Sequence, residues 1–309
     1  MTLTQLEYIV AVNREGNFRR AALSCFVTQP TLSAQIHKVE DELGVIIFDR
    51  TKSPTVPTEI GKKIIKQAML GLGEIYKIPE LIQEETGTLQ GSLRIGIIPT
   101  ISPYLTPLFL KPFCEKYPEV ELSLLELPTK ECLHKLSREE IDFAILATQE
   151  EGQNLLQEHI YDEELFLFIN KENVLYKKKK ISTKDINAKE IWLLEEGHCL
   201  RDEIIETCKL RNQINMRPSK VDFRVGSLES LKYIVQDTYG YTLLPKLATL
   251  RLSRSEFKLV RKFSGKTPPS RSIYLTKNRA HLKLSLINAF KNVVLQSTMK
   301  ALASKDLKE

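Results

Sequence analysis

Apolar residues at helical spacing open the chain. Leu3, Leu6, Ile9 and Val10 predict a first amphipathic helix ending near Gly16. Phe18 to Cys25 predicts a second, short helix with Ala21, Ala22 and Cys25 on a face of small residues. Thr28 supplies a side-chain N-cap, and Pro30 suits the first turn of a third helix, where its missing N–H costs little. This helix is expected to turn Leu32, Ile36, Val39 and Leu43 inward and to stop at Gly44. Ile46-Ile47-Phe48 and Thr55-Val56 predict short strands flanking Arg50-Thr51-Lys52-Ser53-Pro54, a wing hairpin. Three short helices followed by a wing make a winged helix-turn-helix.

A longer stripe follows from Thr58 to about Glu85, through Ile60, Ile64, Ile65, Ala68, Leu72, Ile75, Leu81 and Ile82. It is wider than a short contact within one chain needs, and so predicts a dimerisation helix. Pro79 and the Gly71/Gly73 pair are expected to kink or break it, and Gly87 to Gly91 to form a hinge. Strands and helices then alternate: strand Leu93–Pro99, helix Tyr104–Tyr117, strand Val120–Leu127, helix Lys130–Glu139, and strands Asp142–Ala147 and Leu165–Ile169. Helices at Cys199–Gln213 and Ser227–Tyr239 and a return strand at Ser272–Thr276 complete the pattern, with Lys177–Lys180 a solvated loop. The reading is α/β: residues 1–58 a winged helix-turn-helix, 59–90 a linker helix and hinge, and 91–309 two α/β lobes with a cleft. The two lobes give the last part a periplasmic-binding-protein-like architecture.

Charge refines this less than expected. Residues 1–90 carry 10 Lys/Arg against 11 Asp/Glu, so the predicted DNA reader is not net basic although the whole chain is +6. Basic residues do cluster locally: Arg14, Arg19, Arg20 and Lys38 oppose only Glu15, and Arg50, Lys52, Lys62, Lys63 and Lys66 oppose only Glu59. No apolar run approaches the roughly 18–20 residues of a bilayer span, and the N-terminal residues lack signal-peptide character. A cytoplasmic location away from any membrane is expected. Five cysteines without paired C-x-x-C spacing argue against a zinc site or a disulfide framework, and no cofactor or metal is expected.

Two stretches carry candidate chemistry. At the start of the third helix, Thr28, Gln29, Pro30, Thr31, Ser33 and Gln35 stand where side chains and free N–H groups reach base edges and phosphates in a major groove. Arg19, Lys38 and Arg50 would be positioning contacts to the DNA backbone. The second stretch is Gly197-His198-Cys199-Leu200-Arg201-Asp202, with Cys208 nine residues after Cys199. A helix N-terminus at Cys199, with His198 and Arg201 as donors, favours a thiolate. On one intact helix the two cysteines lie about 13.5 Å apart along the axis. A disulfide needs Cα atoms within roughly 4.4–6.8 Å, so the pair can bond only if the helix is remodelled. Ile204, Ile205 and Cys208 share an apolar face, which predicts a buried Cys208. Cys25, Cys114 and Cys132 have no activating context and read as structural.

Phe18-Arg19-Arg20-Ala21-Ala22, Thr28 to Ile36, Glu40-Asp41-Glu42-Leu43-Gly44 and Phe48-Asp49-Arg50-Thr51 resemble the N-terminal module of the LysR-type regulators. The Gly197–Asp202 run with Cys208 is similar to the peroxide-sensing OxyR branch of that family. So are Gly96–Thr100 with Pro103-Tyr104-Leu105, Ser227–Leu231 and Thr242–Pro245. The resemblance spans nearly the whole chain, fading in the wing, at Lys171–Ile186 and past Ala280. It implies that Cys199 is the peroxidatic thiol and Cys208 the resolving one. It also implies that Thr100 and Thr129 hold peroxide and its water, that His198 and Arg271 polarise the pocket, and that Asp202 orients its neighbours. Implied partners are promoter DNA, RNA polymerase, a second dimer of the same chain, hydrogen peroxide as signal and a cellular thiol reductant. The sequence departs from the family over Lys209–Val221, at Tyr241 near the predicted cleft, and at Pro79.

The expected function is a peroxide-sensing transcription regulator, not an enzyme, switched by a reversible Cys199–Cys208 disulfide. Three alternatives stand beside it. A regulator gated by a small organic effector would share the fold, but no residue names such an effector. A thiol peroxidase would leave the DNA reader unexplained. A periplasmic solute-binding protein is opposed by the absence of a signal peptide.

Overall fold

The computed structural model describes residues 1–52, 54–86, 89–150, 155–211, 225–265, 268–278 and 283–303. Within the helix over 59–86 it describes the side chains of 59–75 and 78. The expected hinge at Gly87, the end of the wing at Ser53 and most of the divergent 209–221 segment lie outside these residues.

Helices α1 (Leu3–Glu15), α2 (Phe18–Ser24) and α3 (Gln29–Leu43) form the N-terminal module with strands β1 (Phe48–Asp49) and β2 (Val56–Pro57). Thr2 and Gln5 close a capping box on α1, Asn17 caps α2, and Thr28 caps α3 through Thr31 N–H. Ile9, Val12, Ala21, Leu32, Ile36, Val39, Ile47 and Phe48 build the core of this module. Two expected inward residues are in fact outside it: Leu3 is 44% and Leu43 41% exposed. On α1 the packed face is Gln5, Tyr8, Ile9 and Val12, with Gln5 tied to Gln35 (2.9 Å). Near the end of α3 the inward position belongs to Glu40, whose Oε1 accepts the Ile47 and Phe48 N–H groups (2.8 and 3.3 Å).

Helix α4 (Glu59–Thr86) runs unbroken through Gly71, Gly73 and Pro79, contrary to the expected break. A proline removes one hydrogen bond of the ladder, and the turns on either side carry the helix across it. Its first turn needs a glycine, since a Cβ on Gly61 would stand 2.1 Å from the Ile47 carbonyl oxygen. Ile65, Ala68 and Leu72 are buried, whereas Ile60, Leu70, Ile75 and Ile78 are 39–59% exposed.

The second part begins directly with β3 (Gly91–Ile97), so Gly91 belongs to a strand. It continues α5 (Ser102–Lys116), β4 (Val120–Glu126), α6 (Thr129–Ser137), β5 (Phe143–Leu146) and β6 (Leu155–Ile169). Then follow β7 (Lys180–Ile181), α7 (Cys199–Thr207), α8 (Leu228–Asp237), β8 (Tyr241–Pro245), α9 (Lys246–Thr249) and α10 (Arg254–Phe257). Strands β9 (Val260–Phe263) and β10 (Ser270–Asn278) and helix α11 (Leu284–Ala303) complete it. The sheet is mixed, in the order β4-β3-β5-β10-β6-β9-β7, with β8 also on β6. Strand β6 is the bridge. Nine of its first ten residues pair with β10, the register shifting at Ile160, and its last five pair with β8. The strands therefore fall into two groups sharing one long strand, with a single continuous core beneath both. Among the described residues no helix is long and apolar enough to cross a membrane.

Candidate functional site

Cys199 is the first residue of α7 and Thr129 the first residue of α6, so two helix N-termini meet at one point. Cys199 Sγ lies 2.7 Å from Thr129 Oγ1 and 3.9 Å from Thr148 Oγ1, and Cys199 is 8% exposed. His198 caps α7 with its backbone in extended conformation and makes no side-chain cap. Burial holds its imidazole below the ordinary value, against the opposing pull of Glu195. At neutral pH His198 is therefore a neutral donor or acceptor. Arg201 turns its guanidinium to the Leu194 carbonyl (3.0 Å), and Asp202 in the first turn is exposed.

Arg271 on β10 is 2% exposed, and its Nε and Nη2 donate to Glu163 Oε1 on β6 (2.9 and 2.6 Å). The same guanidinium donates to Thr100 Oγ1 and to the Thr100 carbonyl, both at 3.1 Å. Burial would lower this arginine, but Glu163, Tyr161 and Glu203 together outweigh it and hold the group above its ordinary value. Glu163 Oε2 also accepts the Leu247 N–H (3.2 Å). The structure thus groups Cys199 with Thr129, and Arg271 with Thr100. Sequence reasoning misses Glu163 because it starts the strand only at Leu165, ten residues after β6 begins, and it misses Thr148 because no local pattern marks that loop position.

Cys208 is the C-cap of α7, whose last helical residue is Thr207 rather than Gln213. Both Cys199 and Cys208 are free thiols at opposite ends of one intact helix. Burial pushes the Cys208 thiol up to about 11. Cys132, one turn beyond Thr129, is fully buried, and burial pushes it to about 12 with Glu131 and then Cys199 adding to the effect. Tyr241, expected near the cleft, is the fully buried first residue of β8, its hydroxyl accepting the Asn187 N–H (2.6 Å) and donating to the Asn187 carbonyl (3.2 Å). Among the described residues no group of three or more His, Cys, Asp or Glu side chains is disposed to hold a metal ion.

On α3, Gln29, Pro30, Thr31 and Lys38 are exposed, as are Arg19 on α2 and the cap Thr28, whose hydroxyl meets that of Thr31 (2.8 Å). Ser33 and Gln35 are half-buried. Arg50 is more engaged than a free phosphate contact: it pairs with Glu40 (2.8 Å), donates to Ser33 Oγ (3.1 Å) and lies over the Phe18 ring (4.9 Å). It ties the third helix to the wing.

Comparison with known proteins agrees with this anatomy. A family model described as "LysR substrate binding domain" matches residues 86–298, and one described as "Bacterial regulatory helix-turn-helix protein, lysR family" matches residues 3–62. The chain is 36% identical to a "Hydrogen peroxide-inducible genes activator" of Pectobacterium carotovorum, covering 81% of this chain and 82% of that one. It is 36% identical to the "DNA-binding transcriptional dual regulator OxyR" of Escherichia coli, covering 80% of each. A solved full-length OxyR from Pseudomonas aeruginosa superposes with a TM-score of 0.69 at 31% identity, over 96% of this chain and 98% of that one. The chain belongs to the LysR family of bacterial helix-turn-helix regulators, within its OxyR branch.

Proposed function

We propose that this chain is a hydrogen-peroxide-sensing transcription regulator that binds promoter DNA and is switched by a reversible Cys199–Cys208 disulfide. The observation that carries the reading is the placement of Cys199 Sγ at the first turn of α7, 2.7 Å from Thr129 Oγ1, with Cys208 capping the other end of the same helix. The names of the relatives support the peroxide signal.

In this reading the Cys199 thiolate attacks one peroxide oxygen, the O–O bond breaks, and the departing hydroxide takes a proton to leave as water. Thr129 and Thr100 hold the peroxide and its water, the neutral His198 and the charged Arg271 polarise them, and Asp202 orients groups at the mouth. The Cys208 thiol then condenses with the Cys199 sulfenic acid, forming the S–S bond and releasing a second water. The two thiols supply two electrons to one peroxide, and a cellular dithiol returns them. Because α7 separates the sulfurs, the bond forms only with the helix remodelled. That change is transmitted to residues 1–58 through the 59–90 helix of a dimer of dimers, whose grip on DNA and RNA polymerase is thereby altered. Thr28, Gln29, Pro30, Thr31, Ser33 and Gln35 read the groove, while Arg19 and Lys38 hold phosphates and Arg50 keeps the third helix in register.

The test is stoichiometric hydrogen peroxide on the reduced protein, followed by disulfide mapping under non-reducing conditions. A Cys199–Cys208 bond that forms once and stops is expected. Sustained peroxide consumption would make the protein a peroxidase, and a Cys199–Cys132 bond would overturn the assignment of Cys208.

A further inference from the structure

Glu203 stands one turn beyond Cys199 on α7, on the same helical face, and five residues before Cys208. Its Oε2 is buried and, among the described residues, has no hydrogen-bond partner. The charged groups that act on it are Arg271 on β10, Glu163 on β6 and Glu206 on its own helix. Arg271 is already committed, to both Glu163 and Thr100. Glu163 in turn has both oxygens satisfied, by Arg271 and by the Leu247 N–H. Two carboxyl groups therefore share one buried cation, and Glu163 holds it. An unpaired buried anion is far costlier than a neutral acid in the same place. The proton belongs on Glu203.

This arrangement lies in the segment that a Cys199–Cys208 bond must rebuild. We infer that Glu203 is a positioning residue of the thiol switch, which rests neutral against the Arg271–Glu163 pair while α7 is intact and gives its proton to water when α7 is remodelled. The inference rests on the disulfide reading above and adds to it a third proton, beyond the two thiol protons that oxidation releases. Burial pushes Glu203 up to about 7, with Arg271 opposing and Glu163 and Glu206 reinforcing. Its value in the remodelled, hydrated segment is the ordinary one of about 4.3. The sign follows. Between those two values the intact helix binds more protons than the remodelled one, so raising pH across that window destabilises the intact reduced form and favours the disulfide. Above the upper value the effect is complete and no longer grows.

Exchange of the full-length protein against a dithiothreitol redox pair isolates the extra proton. Two thiols and one disulfide appear on each side, so shared thiol protons cancel; any charge on Cys199 is common to wild type and E203Q and drops out of their ratio. Glu203→Gln keeps the shape and cannot titrate. The equilibrium constant for oxidation, wild type over E203Q, is expected to rise up to about tenfold per pH unit from pH 5.5 to about 6.5, approximately 30 mV for this two-electron couple, and to level off near 7. A ratio that stays flat while the bond still forms overturns the role of Glu203 and leaves the disulfide reading standing. Absence of a Cys199–Cys208 bond in both proteins overturns that reading, and this inference with it. A second readout needs no variant to fold: the reduced-minus-oxidised infrared difference spectrum of the wild type at pH 6 should show the C=O stretch of a protonated carboxyl group lost on oxidation. A spectrum without that loss overturns the proposal.

Discussion

A buried charge pair holds the interior of the second half together at one point. Arg271 and Glu163 are each about 1% exposed at their side chains, and the guanidinium also fixes Thr100. Replacing Arg271 by Ala leaves Glu163 buried without its cation and should cost about 3–5 kcal/mol. Urea unfolding followed through Trp192, the single tryptophan, reads this directly; a loss under 1 kcal/mol would contradict the geometry. Cys208 makes a second case at this scale. With its thiol raised to about 11, roughly one molecule in ten thousand carries the thiolate at pH 7. Iodoacetamide should therefore label Cys208 in the reduced protein far more slowly than a free peptide thiol, with a rate still climbing at pH 9. Fast labelling that levels off near pH 8.5 would place it outside the core. Cys199 stands out in the sequence at a helix start beside His198 and Arg201, whereas Thr129, Thr100 and Arg271 are legible only because short motifs resemble a known family; nothing in their spacing announces that residues 100 and 271 touch. Glu163 was invisible for the same reason, since its role comes from pairing across β6 and β10, a long-range register that local patterns do not encode.

Elements were read well where caps and period agree. Thr28 and Gly44 bound α3 in the sequence and in the structure, the latter with φ 65° in the left-handed region. The reading failed where tertiary contact overrides the local pattern. Leu3 and Leu43 fit a helical stripe, yet the packed faces of α1 and α3 use Gln5 and Glu40 because each finds a hydrogen-bond partner there. Helix α7 ends at Thr207 instead of Gln213, so Cys208 sits at a helix end, where unwinding begins at least cost. Two substitutions test the N-terminal packing. Gly61→Ala forces α4 away from the Ile47 carbonyl and should lower the melting free energy of this module by about 1–3 kcal/mol by calorimetry; an unchanged melting curve would show that the helix shifts freely. Arg50→Ala strips Glu40 and Ser33 of a partner. It should weaken DNA binding by a similar factor on every sequence, whereas loss confined to one operator would make Arg50 a base reader.

At the scale of the whole molecule, the exposed apolar residues of α4 are the feature that supports the proposed assembly of several chains. Ile60, Leu70, Ile75 and Ile78 face solvent in a single chain, while Ile65, Ala68 and Leu72 serve its own core. Replacing Ile75 and Ile78 together by Glu should shift the protein to monomers in sedimentation velocity and weaken binding to a two-half-site operator at least tenfold; an unchanged assembly would move the interface elsewhere. Closing one bond inside the second half is expected to change how the first half holds DNA. The most direct measurement is a footprint of one promoter by wild-type protein and by Cys208→Ser, each before and after stoichiometric peroxide. The expected result is a footprint that changes for the wild type and stays fixed for C208S, although Cys199 is oxidised in both. A wild-type footprint that is identical before and after, with the Cys199–Cys208 bond demonstrably formed, would contradict the account.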